Sequence, residues 1–471
     1  MAQRKGIVII MKRGIVQIVL ANLLSLIIGL VSNFILPVFL SVETYAEIKT
    51  FTFYLSYAGV FALGYCDGMY LQYGGMKIST VKDSEIESDF GNLIIILSTA
   101  SVIVFFAGIF RKDMVILLFA IGLFFYDILG MIRMLFQAVG EYGFYSKSLN
   151  AEKILILLSN LCLIFCLKSD KSYIYIGTQI LAYVIVILFF AVPFFLKEKK
   201  ISKFRIDFKR VQCFVSTGFV LMLGNMSAGI FTGIDRWFIK WLMDSKSFAY
   251  YSYAVSMETV IGLFMSPLSV VMYNYFCTKH DERDIKRVKQ LMTVWGYILI
   301  AAAFPAKLIV EHFIPKYVES ISVLFLLFLS QAVLFIVQGV YVNLYKAEKK
   351  QAFYLRQILY MIIIAFITNA IFYLALRKMS AFAIGTLVTS VIWLIACEIK
   401  YRQLSFNKNE WTGIIVISAS LLLFSYKFNS VIGLLGYCIV GLIVLYFLWN
   451  ETFYEIKEIV SNYISKLLRK D

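Results

Sequence analysis

The chain has 471 residues, of which 61% are hydrophobic and only 16% charged, with a formal net charge of +16. Soluble domains are closer to half apolar and a quarter charged. Apolar runs of 20 residues and more exclude a soluble globular protein and a β-barrel, and imply a polytopic all-α membrane protein whose helices satisfy their own backbone. The positive charge would suggest nucleic acid in a soluble protein, but here it falls in loops flanking apolar runs, so no nucleic-acid partner is expected.

The N-terminus carries Arg4, Lys5, Lys12 and Arg13 ahead of a first apolar run. That run is too long for a signal-peptide core and is read as a retained helix. About fourteen spans follow at roughly 14–40, 51–73, 90–110, 114–138, 149–167, 173–196, 214–241, 248–276, 290–311, 319–345, 353–376, 379–399, 411–427 and 431–449. With the N-terminus inside, the inner segments and flanks carry 31 Lys and Arg and the outer ones 11, leaving Arg133, Arg236 and Lys307 within spans. The positive-inside rule therefore places both termini of this multi-pass membrane protein in the cytoplasm. The longest outer loop, 41–50, holds only Glu43 and Glu47 as carboxylates. A membrane polysaccharide polymerase or glycosyltransferase, which needs more acidic outer surface, is disfavoured.

The organisation read from this pattern is a six-helix lobe over 1–196, a basic cytoplasmic linker over 197–213, a second six-helix lobe over 214–399, two accessory helices over 411–449 and an amphipathic tail over 450–471. The linker sequence KEKKISKFRIDFKR also suits attraction to anionic lipid head groups. The tail places Phe453, Ile456, Tyr463 and Leu467 on one helical face, the pattern of an interfacial helix. The lobes read as weak repeats. LANLLS at 20–25 aligns with LGNMSA at 223–228, and QAVGEYGFY at 137–145 with KAEKKQAFY at 346–354, offsets of 203 and 209 residues. Six helices per copy give both lobes the same orientation, with an axis along the membrane normal.

Catalytic and metal chemistry find little footing. The odd set of seven cysteines, mostly within apolar runs, is not a disulfide framework. Cys162 and Cys166 lack histidine or carboxylate support, His280 and His312 lie far apart, and no GxxxxGK phosphate loop is present. No cofactor, metal or enzymatic activity is expected.

Intramembrane charges are the functional candidates, because they are costly in hydrocarbon. Asp235 and Arg236 adjoin within one span and point about 100° apart on a helix, so Arg236 is the candidate cavity-facing cation and Asp235 its support; a charge-neutralised pair near the outer interface is the alternative. Arg133, on the fourth span, is a second cation, with snorkelling to the inner interface as its alternative. Lys12 and Arg13 are placed to recruit substrate or simply to anchor topology. Glu258 and Asp127 are candidates for binding a coupling proton or sodium ion. Asp67 ends the second span, where capping would also account for it. Asn22 and Asn225 occupy matching repeat positions, suited to sugar binding or interhelical hydrogen bonds. Pro37, Pro267 and Pro305 lie within spans and predict kinks.

Three motifs together resemble one family. Ile234-Asp235-Arg236 is followed by AYYSYAVSM at 249–257, IPKYVES at 314–320 opens the tenth span, and LGYCDGM at 63–69 ends the second. In order and spacing these resemble the polysaccharide flippases of Wzx type within the MOP exporter superfamily, over roughly residues 10–400. Ala249 and Tyr250 stand where that family usually has glycine before tyrosine. The resemblance implies two six-helix bundles around a central, cationic cavity. It implies outward flipping of undecaprenyl-pyrophosphate-linked oligosaccharide repeat units for surface polysaccharide (O-antigen, lipopolysaccharide or capsule), with membrane lipid and polymerase or chain-length machinery as partners. Another MOP transporter, a drug or ion antiporter or a peptidoglycan-precursor flippase, is the alternative.

Overall fold

The computed structural model describes residues 2–198, 203–278 and 281–468. It is nearly all helix, without strands among the described residues. In chain order the helices are α1 (Ala2–Phe39), α2 (Val42–Leu55), α3 (Tyr65–Tyr73), α4 (Asp83–Arg111), α5 (Met114–Ala138), α6 (Tyr142–Phe165), α7 (Ser172–Val186), α8 (Val192–Glu198), α9 (Phe208–Leu242) and α10 (Ser245–Thr278). They continue with α11 (Glu282–Leu299), α12 (Ala303–Phe313), α13 (Ile321–Ile336), α14 (Asn343–Ala347), α15 (Gln351–Leu376), α16 (Ser380–Lys400), α17 (Lys408–Lys427), α18 (Ser430–Phe447) and α19 (Asn450–Leu468). Among the described residues, 11 helical stretches are long and apolar enough to cross a membrane. The chain is a multi-pass membrane protein. The expected spans at 51–73, 248–276 and 411–427 fall on helical segments outside those 11.

Two compact units emerge, residues Met1–Thr232 and Gly233–Asp471. The division falls within α9, beyond the basic linker, and the packing of unit 1 explains why. Glu87 on α4 accepts the Lys203 backbone N–H at 2.9 Å and pairs with Arg205 Nε at 3.0 Å. Asp89, two residues on and 2% exposed, takes Arg210 Nε at 2.9 Å and Nη2 at 3.0 Å, with Tyr65 and Tyr73 hydroxyls also donating to it. A Cβ on Gly91 would stand 1.9 Å from the Arg205 carbonyl oxygen, so glycine is what lets the linker lie flat on α4. Two of the linker's cations are thereby committed to protein carboxylates, which lowers the charge left for lipid; Lys197, Lys203 and Lys209 are exposed.

The second expected span is not one helix, and its helical part starts earlier than expected. The 41–50 segment, read as an outer loop, is already the start of α2, capped by Ser41, whose hydroxyl accepts the Thr44 N–H at 3.2 Å. After Leu55 the chain passes through a 3₁₀ turn, Ala58–Ala62, and then Leu63 (φ 53) and Gly64 (φ 78), both left-handed, before α3. The break brings Gly64-x-x-x-Gly68 against α9, the small-residue spacing that lets membrane helices touch backbone to backbone. A Cβ on Gly218 would lie 2.1 Å from Gly64 O and 2.2 Å from Gly68 N. Gly218→Ala is expected to lower stability by about 1–3 kcal/mol through overpacking. Thermal unfolding of the full chain in detergent reads this, and an unchanged midpoint would contradict the close crossing.

The expected repeat is visible within each unit at its turns. Helix α5 ends with Gly140 at φ 81 and a Glu141 N–H bond to Phe136 O of 2.7 Å. The aligned turn has Lys349 at φ 59 and a Lys350 N–H bond to Tyr345 O, also 2.7 Å. Lys168 (φ 47) after α6 and Arg377 (φ 50) after α15 match at the same offset. These bonds satisfy carbonyls that a helix end leaves open.

Helix α13 is the core of unit 2, buried along most of its length and packed by α10, α11 and α16. The accessory hairpin α17–α18 is held by Lys307 on α12, which donates to the Ser425 and Phe428 carbonyls at 2.8 Å each and so compensates the C-terminal end of α17. Pro305 follows a 3₁₀ turn, Ile300–Ala302, that separates α11 from α12; Pro37 sits two residues before the end of α1, and α10 runs through Pro267 as one unbroken helix. Helix α19 forms over the expected tail, and Glu455 pairs with Arg287 on α11 at 2.6 Å.

Candidate functional site

Three of the ten sequence-derived candidates meet in unit 2. Asp235 is 3% exposed. Its Oδ1 accepts the Arg236 backbone N–H at 2.7 Å, and its Oδ2 accepts the Tyr251 hydroxyl at 2.6 Å and the Thr386 hydroxyl at 3.4 Å. One carboxylate thus joins α9 to α10 and α16. Glu258, two turns along α10 from Tyr251, accepts a hydrogen bond from Gln331 on α13, and its carboxylate lies within electrostatic reach of both Asp235 and Arg236. Arg236 is half-buried. The adjacency in sequence therefore resolves as expected from helical geometry: Asp235 turns into the helix packing while Arg236 projects from another side of α9.

Ionised, the cluster sets two carboxylates against one guanidinium and carries one unit of net negative charge. In low dielectric such an excess is costly and invites a cation or proton.

The other candidates are placed in unit 1. Asn225 Nδ2 donates to Asp67 Oδ1 at 3.1 Å, linking α9 to α3 beside the glycine crossing. Arg133 pairs with Glu152 on α6 at 2.6 Å and donates to the Ser148 carbonyl at 2.8 Å, so its charge is compensated inside the bundle. Glu152 also accepts Lys153 at 2.8 Å. Asp127 is 6% exposed on α5, and its Oδ2 has no hydrogen-bond partner among the described residues. Asn22 is half-buried on α1. Lys12 and Arg13 also lie on α1, but their side chains fall outside the described residues.

Sequence reasoning did not single out Tyr251, Thr386, Gln331 or Glu152. Tyr251 stands within the quoted AYYSYAVSM motif, and Glu152 is an intramembrane carboxylate, so each left a signal; Thr386 and Gln331 left none. The seven cysteines are all free thiols.

No protein-family model matches the chain, and no curated protein matches it in sequence. Solved structures do. A lipid II flippase, MurJ, in an inward closed conformation shares the fold with a TM-score of 0.66 at 15% identity, over 93% of this chain and 100% of that one. An inward-facing multidrug-resistance MATE transporter of the MOP superfamily matches with a TM-score of 0.52 at 14% identity, over 82% of this chain and 95% of that one. The chain thus shares its fold with these two solved structures. Both matched proteins are transporters rather than enzymes.

Proposed function

We propose that the chain flips a lipid-linked oligosaccharide, an undecaprenyl-pyrophosphate-linked repeat unit, from the cytoplasmic to the outer leaflet of a bacterial inner membrane by alternating access. Both termini lie in the cytoplasm, as the 31-to-11 split of basic residues supports. The observation that carries the reading is the intramembrane Asp235–Arg236–Glu258 cluster in a fold shared along its length with a flippase of lipid II. Coverage and similarity are higher for that flippase than for the drug transporter, which favours a lipid-linked substrate over drug export.

The physical task is to carry an anionic head group through hydrocarbon while its tail stays in the bilayer. Arg236 is the group for the pyrophosphate, and Asp235 holds the α9 backbone that presents it. A proton or sodium ion on Glu258 and Asp235 would couple to that contact. Asn225 with Asp67, and Asn22 at the matching position, offer sugar contacts; Lys12 and Arg13 attract the head group at the cytoplasmic mouth. Asp127 is a second candidate for a coupling proton, and Arg133 shapes the bundle beside it. The product would feed polymerase and chain-length machinery for O-antigen, lipopolysaccharide or capsule.

Moving a doubly anionic head group outward along an inside-negative potential of about 100 mV releases about 4–5 kcal/mol. Flipping of a fluorescent lipid-linked oligosaccharide in proteoliposomes is therefore expected to slow when the potential is collapsed. Complementation of a strain without its surface-polysaccharide flippase tests the substrate: rescue of polysaccharide supports the reading, and rescue of drug resistance alone refutes it.

A further inference from the structure

Helices α13 and α14 form one run, joined by a π-helical segment, Val337–Val342, that is buried except at the half-buried Gln338. The aligned helix of unit 1, α5, is α-helical throughout. A π-bulge inserts an extra residue into an α-helix, is rare, and occurs frequently at functional sites. Particular side chains accommodate it here. The Asn343 backbone N–H bonds to the Val340 carbonyl, where a regular α-helix would use that of Gly339. The Asn343 side chain serves the bulge instead: its Nδ2 donates to Gly339 O at 3.0 Å and Gln338 O at 3.2 Å, and reaches Ser269 on α10 at 3.0 Å. Toward α16, the Tyr341 hydroxyl donates to Glu398 and the Tyr345 hydroxyl to Cys397 Sγ at 3.7 Å.

The segment stands between two buried polar sites. Gln331, before it on α13, donates to Glu258 of the Asp235 cluster. Tyr341, within it, donates to the carboxylate that pairs with Lys289. Its surroundings are adaptable. A Cβ on Gly339 would stand 3.0 Å from Met292 Cε and 3.6 Å from Met265 Cε, so the wall against the bulge is made of two flexible thioether side chains, which fill changing shapes readily. The run then ends in a turn with Lys349 at φ 59. A bulge of this kind has two arrangements of similar packing, and the hydrogen bonds from Asn343, Tyr341 and Tyr345 select one of them.

We propose that Val337–Val342 is a register switch, passing between this π arrangement and an α-helical one. In the α arrangement the extra residue moves into the turn at 348–350, and α14 turns by about 100° and shifts by about 1.5 Å relative to Gln331. The Gly339 carbonyl then takes the Asn343 N–H, the Asn343 side chain lets go of Ser269, and the Tyr341 and Tyr345 hydroxyls leave α16. The part of α13 that carries Gln331 keeps its place on Glu258. As a step in transport the inference rests on the flippase reading, and it extends that reading by naming an element of unit 2 that moves.

The test is a spin-label distance measurement on the full chain in nanodiscs, with labels on Lys346→Cys in α14 and Asn409→Cys in α17, both exposed positions, after the five exposed native cysteines are replaced by alanine. Two distances are expected, differing by up to about 8 Å, because a turn of about 100° carries a side chain about 5–6 Å from the helix axis through that span. Asn343→Leu and Tyr341→Phe each withdraw one tie of the π arrangement and are expected to raise the share of the second distance at least about threefold, the scale of one buried hydrogen bond. Deletion of Val340 removes the extra residue and is expected to leave a single distance; should that variant not fold, the two point variants decide. A single distance in the parent that gives way to a second in either point variant also supports the switch. One distance throughout overturns it and makes the bulge a fixed feature, and two distances whose shares neither point variant alters overturn it by placing the motion elsewhere. Two responsive distances without flipping of any lipid-linked oligosaccharide sink the flippase reading and leave the switch. Flipping with one fixed distance sinks the switch alone.

Discussion

Arg236→Ala is expected to abolish flipping of a lipid-linked oligosaccharide in proteoliposomes, while Arg236→Lys retains part of it. A charged hydrogen bond to a phosphate contributes about 1.5–3 kcal/mol, or about ten- to 150-fold in rate where the contact is needed to cross. Lysine keeps the charge but loses the bidentate fork, which is why partial activity is the expected result. The neighbouring carboxylate separates this role from a structural one. Asp235→Ala leaves the buried Tyr251 hydroxyl without its 2.6 Å acceptor and the α9–α10–α16 junction without its bridge. An orphaned buried donor costs about 1–3 kcal/mol. Asp235→Ala should therefore lower the melting temperature and transport together, whereas Arg236→Ala should lower transport with little change in melting. Full activity of the alanine variant would reduce Arg236 to an interfacial anchor.

What the sequence discloses follows the range of each interaction. Helix positions, and the repeat that shows in the turns at Gly140 and Lys349, are set by residues a few positions apart, so periodicity and alignment reveal them. Residues 51–73 form one apolar run, and hydropathy has no means of registering that Leu63 and Gly64 turn left-handed there. The reason lies about 150 residues away, in the backbone of Gly218. Arg133 reads as an isolated intramembrane cation until α6 folds back and supplies Glu152. The Asp235 cluster is intermediate: the charges are legible individually, but the tyrosine, threonine and glutamine that bind them are common within apolar helices.

The buried pair Lys289–Glu398 should give the largest stability effect in unit 2. Lys289 is 0% exposed. Its ammonium reaches Glu398 Oε1 at 2.9 Å, donates to the Leu404 carbonyl, and sits 3.4 Å from the centre of the Phe406 ring. Glu398 in turn accepts the Phe406 N–H at 2.6 Å and the Tyr341 hydroxyl. The hub fixes α11, the end of α16, the turn after it and the π-helical segment Val337–Val342. The same kind of tie occurs in unit 1, where Asp89 on α4 holds Arg210, with the signs reversed. Glu398→Ala strips the buried ammonium of its counter-charge, which costs about 3–5 kcal/mol. Lys289→Met should cost less, because a lone buried carboxyl can take up a proton and still donate or accept. The double variant Lys289→Met/Glu398→Gln removes both charges and is expected to recover much of the loss, since neutral replacement of a buried pair is often close to neutral in stability. Thermal unfolding of the full chain, of the Lys289→Met and Glu398→Gln single variants and of the double variant measures this as a coupling energy. Additive losses would mean that the two side chains act on separate parts of the fold. Recovery in the double variant, with transport per folded molecule retained, would assign the pair to holding α16, whose Thr386 reaches Asp235 twelve residues, or about 18 Å, along the same helix.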